Sequence, residues 1–145
     1  MSSTSEVGEP GVKAILGYDI AEGVTVEDYE RWLAEVHFPD LLANPHLDRL
    51  VANDVVRPIT ATSAGSATTS TGAEPVTFYR IMELHFADHD AYRRYLDWFE
   101  QNPIDPSRGP AGRTEFGFYV LTESTVIDRD RPYQPPAEAS AADPT

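Results

Sequence analysis

Several side chains in this sequence have the types and spacings that acid–base chemistry needs. His37 stands three residues before Asp40, where Pro39 interrupts a helical stretch. A histidine near a carboxylate can be held in one tautomer and act as general base or acid. The same residue could equally cap the end of the helix, where a cation complements the dipole. Tyr79, Glu83 and His85 recur at every second or fourth position of an apolar strand and share one of its faces. Polar groups on a covered strand need partners or a pocket. They read as a pocket wall with a hydroxyl and two ionisable groups, or as partners of Arg49 or Arg57 on a neighbouring strand. Arg80 falls on the opposite face with Phe78 and Met82. A guanidinium there could hold a carboxylate or enolate, or form an ion pair at a subunit interface. Tyr95 lies on a second helical stretch, as a hydroxyl for the site or as part of a buried stripe. His46, after Pro45, reads as a turn residue, and His89 as a solvated one.

Other chemistries are less well supplied. There is no cysteine, which excludes a thiol nucleophile, a disulfide framework and a zinc–cysteine site. The spacing of His37, Asp40 and His46 matches no metal motif, and GxGxxG, P-loop and GxSxG signatures are absent. No cofactor and no metal is therefore expected. The net charge of −13 and pI near 4.5 repel phosphate backbones and anionic lipid, so neither nucleic acid nor a membrane is an expected partner. No apolar run approaches the roughly 18 residues of a membrane span, and the polar, acidic segment 1–10 does not resemble a secretory signal. A cytoplasmic address is the expectation.

These residues must be positioned by regular elements. At 145 residues with 41% hydrophobic side chains, the chain suits one domain. Val12 to Ile20 reads as a strand with apolar even positions. Thr25 opens a helix with Asp28 at the capping-box spacing, and Tyr29, Trp32, Leu33 and Val36 form its stripe. Pro39 is expected to end that helix near His37, with about one more turn before a strand over Leu47 to Arg57. Val76 to Phe86 is rich in β-branched and aromatic residues, has no Gly or Pro, and reads as a central strand. Asp88 caps a second helix with the stripe Tyr92, Tyr95, Leu96 and Phe99, ended by Asn102-Pro103. Thr114 to Leu121 is the fourth strand. The boundaries are a flexible arm over 1–10, one domain over 11–127 with a mobile low-complexity loop at 60–74, and a disordered tail over 128–145. The order βαββαβ is the ferredoxin-like α+β pattern. Two apolar sheet faces predict a homodimer packed sheet against sheet.

With these elements in place, the sequence resembles the dimeric α+β barrel superfamily over nearly all of residues 11–127. The resemblance is carried by Tyr29-x-x-Trp32 followed by His37-x-Pro39, and by Phe78-Tyr79-Arg80-Ile81 leading into the helix from Asp88 to Pro103. The first motif is similar to EthD-like proteins and to the REDY-like proteins of prodigiosin-type pathways. The resemblance implies a dimer with one pocket per subunit between sheet and helices. The superfamily hosts cofactor-free monooxygenases, polyketide cyclases, haem-degrading enzymes, dehydratases and muconolactone-type isomerases, and fold does not choose among them. Tyr95, nine residues after Phe86, is similar in placement to an active-site tyrosine of plant polyketide cyclases. Their downstream histidine is missing here.

The expected function is thus a cofactor-independent enzyme of secondary metabolism, of cyclase, isomerase or dehydratase (lyase) type, acting on a hydrophobic polyketide-like molecule. His37 would move the proton and Asp40 orient it; Tyr79, Tyr95 and His85 complete the catalytic candidates. Tyr18, Trp32, Phe78, Arg80, Glu83 and Phe116 are the candidate substrate contacts. A quinol or anthrone monooxygenase and a non-catalytic small-molecule binding protein are the alternatives.

Overall fold

The alternation of the first strand decides which side of the sheet is dry. In β1 (Gly11–Ile20) Val12, Ala14, Leu16 and Tyr18 are buried, while Lys13 and Ile15 are only partly covered. The computed structural model describes residues 11–56 and 78–136. The expected arm at 1–10, the loop at 60–74 and the last stretch of the tail, 137–145, lie outside the described residues, as do Arg57, Val76 and Thr77. Asp128 and Arg131, at the start of the expected tail, pair in a short turn.

The remaining strands are β2 (Arg49–Asp54), β3 (Arg80–Phe86) and β4 (Thr114–Ser124). They form one four-stranded sheet in the order β2-β3-β1-β4, with every neighbouring pair antiparallel. β2 is shorter than expected. Leu47 leaves the ladder and enters the core, and the chain turns at Asn44 just before it.

The first helix starts as its sequence dictates. The Thr25 hydroxyl accepts the Asp28 N–H at 3.1 Å, and α1 runs Val26–Trp32. Pro39 does not end it. A π-helical turn, Leu33–His37, leads straight into α2 (Phe38–Leu42), where the Phe38 N–H reaches back to the Leu33 carbonyl. Pro39 sits in the first turn of α2, where a missing N–H costs little, and the widened turn makes room for its ring. The expectation of a break near His37 is corrected accordingly: the rod continues. The third helix, α3 (His89–Gln101), is capped by Asp88, whose carboxylate accepts the Ala91 N–H at 2.8 Å.

Both rods lie on the even face of the sheet. Tyr29, Trp32 and Leu33 from the first and Tyr95 from α3 meet Val12, Ala14, Leu16, Met82, Leu84 and Phe86. Each Val, Leu, Met or Phe side chain among them contributes about 1.5–3 kcal/mol on burial. Leu96, expected in the α3 stripe, is turned out and 46% exposed. No helix among the described residues is long and apolar enough to cross a membrane.

One register feature reverses two expectations. The β1–β4 pairing slips between Gly17 and Tyr18, leaving Gly117 as an extra residue in β4. Phe78 and Phe118 pack over this spot with ring centroids 5.6 Å apart. A Cβ on Gly17 would come within 2.5 Å of the Phe118 ring, so only glycine lets the rings approach. Phe78 and Tyr79 precede the β3 ladder and do not follow its alternation. The Tyr79 N–H is held by the Tyr18 carbonyl and the Asp19 carboxylate, both at 2.9 Å. Phe78 therefore lies on the outer face and Tyr79 swings to the helix side, the opposite of what strict alternation predicts.

Asn44 joins the two helical rods. It is 1% exposed, donates from Nδ2 to the Tyr95 carbonyl at 3.1 Å and accepts the His46 N–H at 3.0 Å. Replacing Asn44 with Ala leaves buried backbone groups unpaired and is expected to cost about 1–3 kcal/mol in urea denaturation. An unchanged midpoint would contradict this role.

Candidate functional site

The sheet and the two rods do not close completely on each other. Between them lies a cavity of about 510 Å³, within the size range of small-molecule sites (about 300–1,000 Å³). Leu16, Met82 and Leu84 form its sheet side, Leu33, Phe38 and Leu41 its helical side, and Tyr95 and Phe99 close it from α3. Phe116 and Tyr119 of the edge strand β4 stand at its rim, 55% and 49% exposed. The wall is almost wholly apolar, yet two buried polar atoms on lining residues, Tyr18 Oη and His37 Nδ1, make no hydrogen bond of good geometry among the described residues; Arg80 and Tyr29 stand beside the first. Leaving such an atom unpaired costs about 1–3 kcal/mol, which a bound polar group would recover.

His37 is held by stacking. Its ring lies 4.6 Å from that of Trp32 at an interplanar angle of 14°. Trp32 is itself fixed by its indole N–H, which donates to the Arg108 carbonyl at 2.9 Å, and the Arg113 guanidinium lies 5.1 Å from the Trp32 ring centroid. Burial pushes the His37 pKa below its usual value; the Asp40 charge opposes this and the Arg113 charge adds to it. The imidazole is therefore neutral at pH 7 and can accept a proton. Asp40 does not orient it. Its carboxylate accepts two hydrogen bonds from Arg108, from Nε at 3.0 Å and Nη2 at 2.8 Å. That pair holds the Asp40 carboxyl below the ordinary range, with further help from the positive charges nearby. The expected His37–Asp40 pair is thus replaced by Asp40–Arg108, because a planar guanidinium is the better bidentate partner.

Around Tyr18 the structure gathers aromatic and charged groups. Tyr18 is 3% exposed, with ring centroids 5.9 Å from Tyr29, 6.4 Å from Tyr79 and 6.5 Å from Phe116. The Tyr29 hydroxyl is 2.8 Å from Thr114 Oγ1 and that of Tyr79 donates to Glu30. Arg80, with 12% of its side chain exposed, pairs with Glu30 at 3.0 Å and Asp54 at 2.7 Å. Burial raises the Tyr18 pKa, against the pull of the Arg80 guanidinium beside it, so the phenol stays protonated. Burial and the Glu30 carboxylate push Tyr79 up to about 12. Burial and nearby Tyr92 take Tyr95 to about 12.

The expected residues are therefore divided. Tyr18, His37, Tyr95 and Phe116 line the cavity; Trp32 backs His37, and Tyr79 and Arg80 stand behind Tyr18. Arg80 makes ion pairs within its own chain, with Glu30 and Asp54. Phe78, Glu83 and His85 are corrected: they belong to the outer face. There Glu83 accepts from Lys13 at 3.0 Å and Asn53 at 3.0 Å and lies 2.9 Å from His85. Burial would raise Glu83, but these hydrogen bonds bring it down to about 2. The face is odd-numbered as read from the sequence, but the helices cover the even one. Sequence reasoning missed Glu30, Arg108, Thr114 and Tyr119. Tyr29 was legible as a buried stripe residue, but its hydroxyl partner is 85 residues away. Among the described residues no three side chains of metal-ligand type converge.

No family model matches the chain, and no curated protein matches it. Among solved structures, the solution structure of a hypothetical Arabidopsis thaliana protein is similar. It shares 13% sequence identity, with 88% of this chain and 97% of that one covered and a TM-score of 0.49.

The state of His37 has a signature in stability. Its folded-state pKa lies below the usual value of 6.5, so the unfolded chain binds the proton more readily. Its contribution is complete above that value and is lost as pH falls below it. Between pH 7 and 5, wild-type stability is expected to fall more steeply than that of a His37→Gln variant, the other three histidines being common to both. Equal slopes in urea denaturation would contradict a buried neutral imidazole.

Proposed function

We propose that this protein is an acid–base enzyme of cyclase, isomerase or dehydratase type, acting on a hydrophobic, polyketide-like small molecule held in the cavity. The observation that carries this reading is a neutral imidazole with an unpartnered buried nitrogen on the wall of an otherwise apolar chamber. Such a group can take a proton from a bound carbon or oxygen acid, and an apolar wall keeps water from competing. The Tyr18 phenol supplies a hydrogen bond to an oxygen on which charge develops. Asp40 serves the fold through Arg108 and leaves His37 without a carboxylate to orient it. That observation favours a second reading, a binding protein without chemistry.

The fold belongs to the same proposal. β1 and β2 run in the same direction with β3 between them, as in a ferredoxin-like split βαβ unit. Two copies pack through their outer sheet faces to form the dimeric α+β barrel. That face carries Ile15, Ile81, Phe78, Phe118 and Val120, none covered by a second layer among the described residues. Three of its ionic groups are closed on one another, Lys13 and His85 on Glu83, which suits a self-complementary contact between copies of a chain of net charge −13.

Catalysis is checked with 2-tetralone, an apolar ketone with exchangeable α-hydrogens. In D₂O the wild type is expected to accelerate α-exchange read by NMR, and His37→Gln to slow it by about 10²–10⁴-fold. A wild-type rate equal to buffer contradicts the enzyme reading and leaves the binding reading. The dimer is checked by sedimentation. A mass of twice 16.0 kDa is expected, falling to the monomer in Ile81→Glu. A wild-type monomer at micromolar concentration would contradict it.

A further inference from the structure

The polar groups around Tyr18 differ in what they have left to give. Tyr29 is committed to Thr114, Tyr79 to Glu30, and Arg80 to both Glu30 and Asp54. Of these groups Tyr18 is the one whose hydroxyl makes no hydrogen bond of good geometry among the described residues, although Arg80 and Tyr29 stand beside it; its side chain is 3% exposed and lines the cavity. Arg80 stands beside the phenol oxygen, so the O–H hydrogen is the part left to donate. Among the groups named at this end, one guanidinium, Arg80, stands against three carboxylates, Glu30, Asp54 and the Asp19 that accepts the Tyr79 N–H. A ligand carboxylate arriving here would lose its water, meet a net negative cluster, and find the only adjacent guanidinium already paired. A neutral oxygen acceptor meets none of these costs.

We infer that the Tyr18 end of the cavity is a specificity subsite for a neutral carbonyl or un-ionised phenolic oxygen on an apolar ring system, and that it discriminates against carboxylates. The inference rests on the cavity being a ligand site, but not on His37 performing chemistry. The apolar ring system would lie against Leu16, Met82 and Leu84, with its oxygen directed at Tyr18 Oη. The subsite favours a ketone over the alkyl analogue that lacks its oxygen, a preference the apolar walls alone cannot supply, and its negative cluster adds to the cost those walls already set on a carboxylate.

Three probes of one shape test this on the full chain by isothermal titration at pH 8: 2-acetylnaphthalene, 2-ethylnaphthalene and 2-naphthoate. The ketone is expected to bind about tenfold tighter than the ethyl compound, the worth of one good hydrogen bond. The carboxylate is expected to bind weakest. Tyr18→Phe removes the advantage of the ketone and leaves the ethyl compound unchanged. Glu30→Gln, which lowers the negative count, strengthens 2-naphthoate several-fold. The wild-type ranking needs no variant, so it stands even if a substitution unfolds the chain. Carboxylate binding as tight as ketone binding overturns the inference, as does a ketone advantage that survives in Tyr18→Phe. If 2-ethylnaphthalene binds and the ketone gains nothing, only the subsite falls. If none of the three binds, the cavity reading falls with it.

Discussion

A guanidinium with 12% of its side chain in water cannot stand alone, and the Arg80 side chain organises one end of this molecule by that requirement. Its two carboxylates come from different elements, Glu30 from the first helix and Asp54 from the edge strand β2. Both acids remain partly solvated, so the pair is worth less as stability than as a positioning device. It fixes where the first rod crosses the sheet, it draws Tyr79 to the helix side through Glu30, and it sets a positive group beside Tyr18. Phe78, displaced to the outer face, is received by a glycine-lined depression that no side chain could share.

At the other end the constraint is steric rather than ionic. The π-helical turn carries the chain past Pro39 without a break, so His37 remains part of a rigid rod. Trp32 then holds its ring by stacking, and Arg108 holds Trp32 through a backbone carbonyl and Asp40 through its guanidinium. Between these two ends the sheet and rods carry large apolar side chains that bridge the layers without filling the space. The result is an apolar-walled chamber with one hydroxyl and one ring nitrogen left over among the described residues, at Tyr18 and His37.

Much of this was legible in the residues because local rules govern it. The caps Thr25 and Asp88, the even-face burial of β1 and β3, and the stripe from Tyr29 to Leu33 follow from period and cap chemistry. His37 stands out chiefly through the resemblance its motif carries, Tyr18 as a candidate hydroxyl and Phe116 as a pocket aromatic, and all three line the cavity. Other features depend on contacts far apart in sequence. Asp40 pairs with Arg108 at a separation of 68 residues and Tyr29 with Thr114 at 85, and no pattern announces either. Polar groups on a strand leave two readings open for Glu83 and His85, a pocket wall or pairing along the sheet. They satisfy each other on the outer face. Phe78 and Tyr79 lie two residues before the ladder that enforces alternation, so strand period does not predict their faces.

The central claim is that the chamber between sheet and helices accepts an apolar ligand. Met82 lies in its wall, and the only other methionine is Met1. In protein carrying 13C-methyl methionine, titration with naphthalene is therefore the most direct measurement. The Met82 methyl resonance, assigned by its loss in Met82→Leu, is expected to shift saturably as an aromatic ring settles against it. A Met82 resonance that stays in place at the solubility limit of naphthalene would contradict the account.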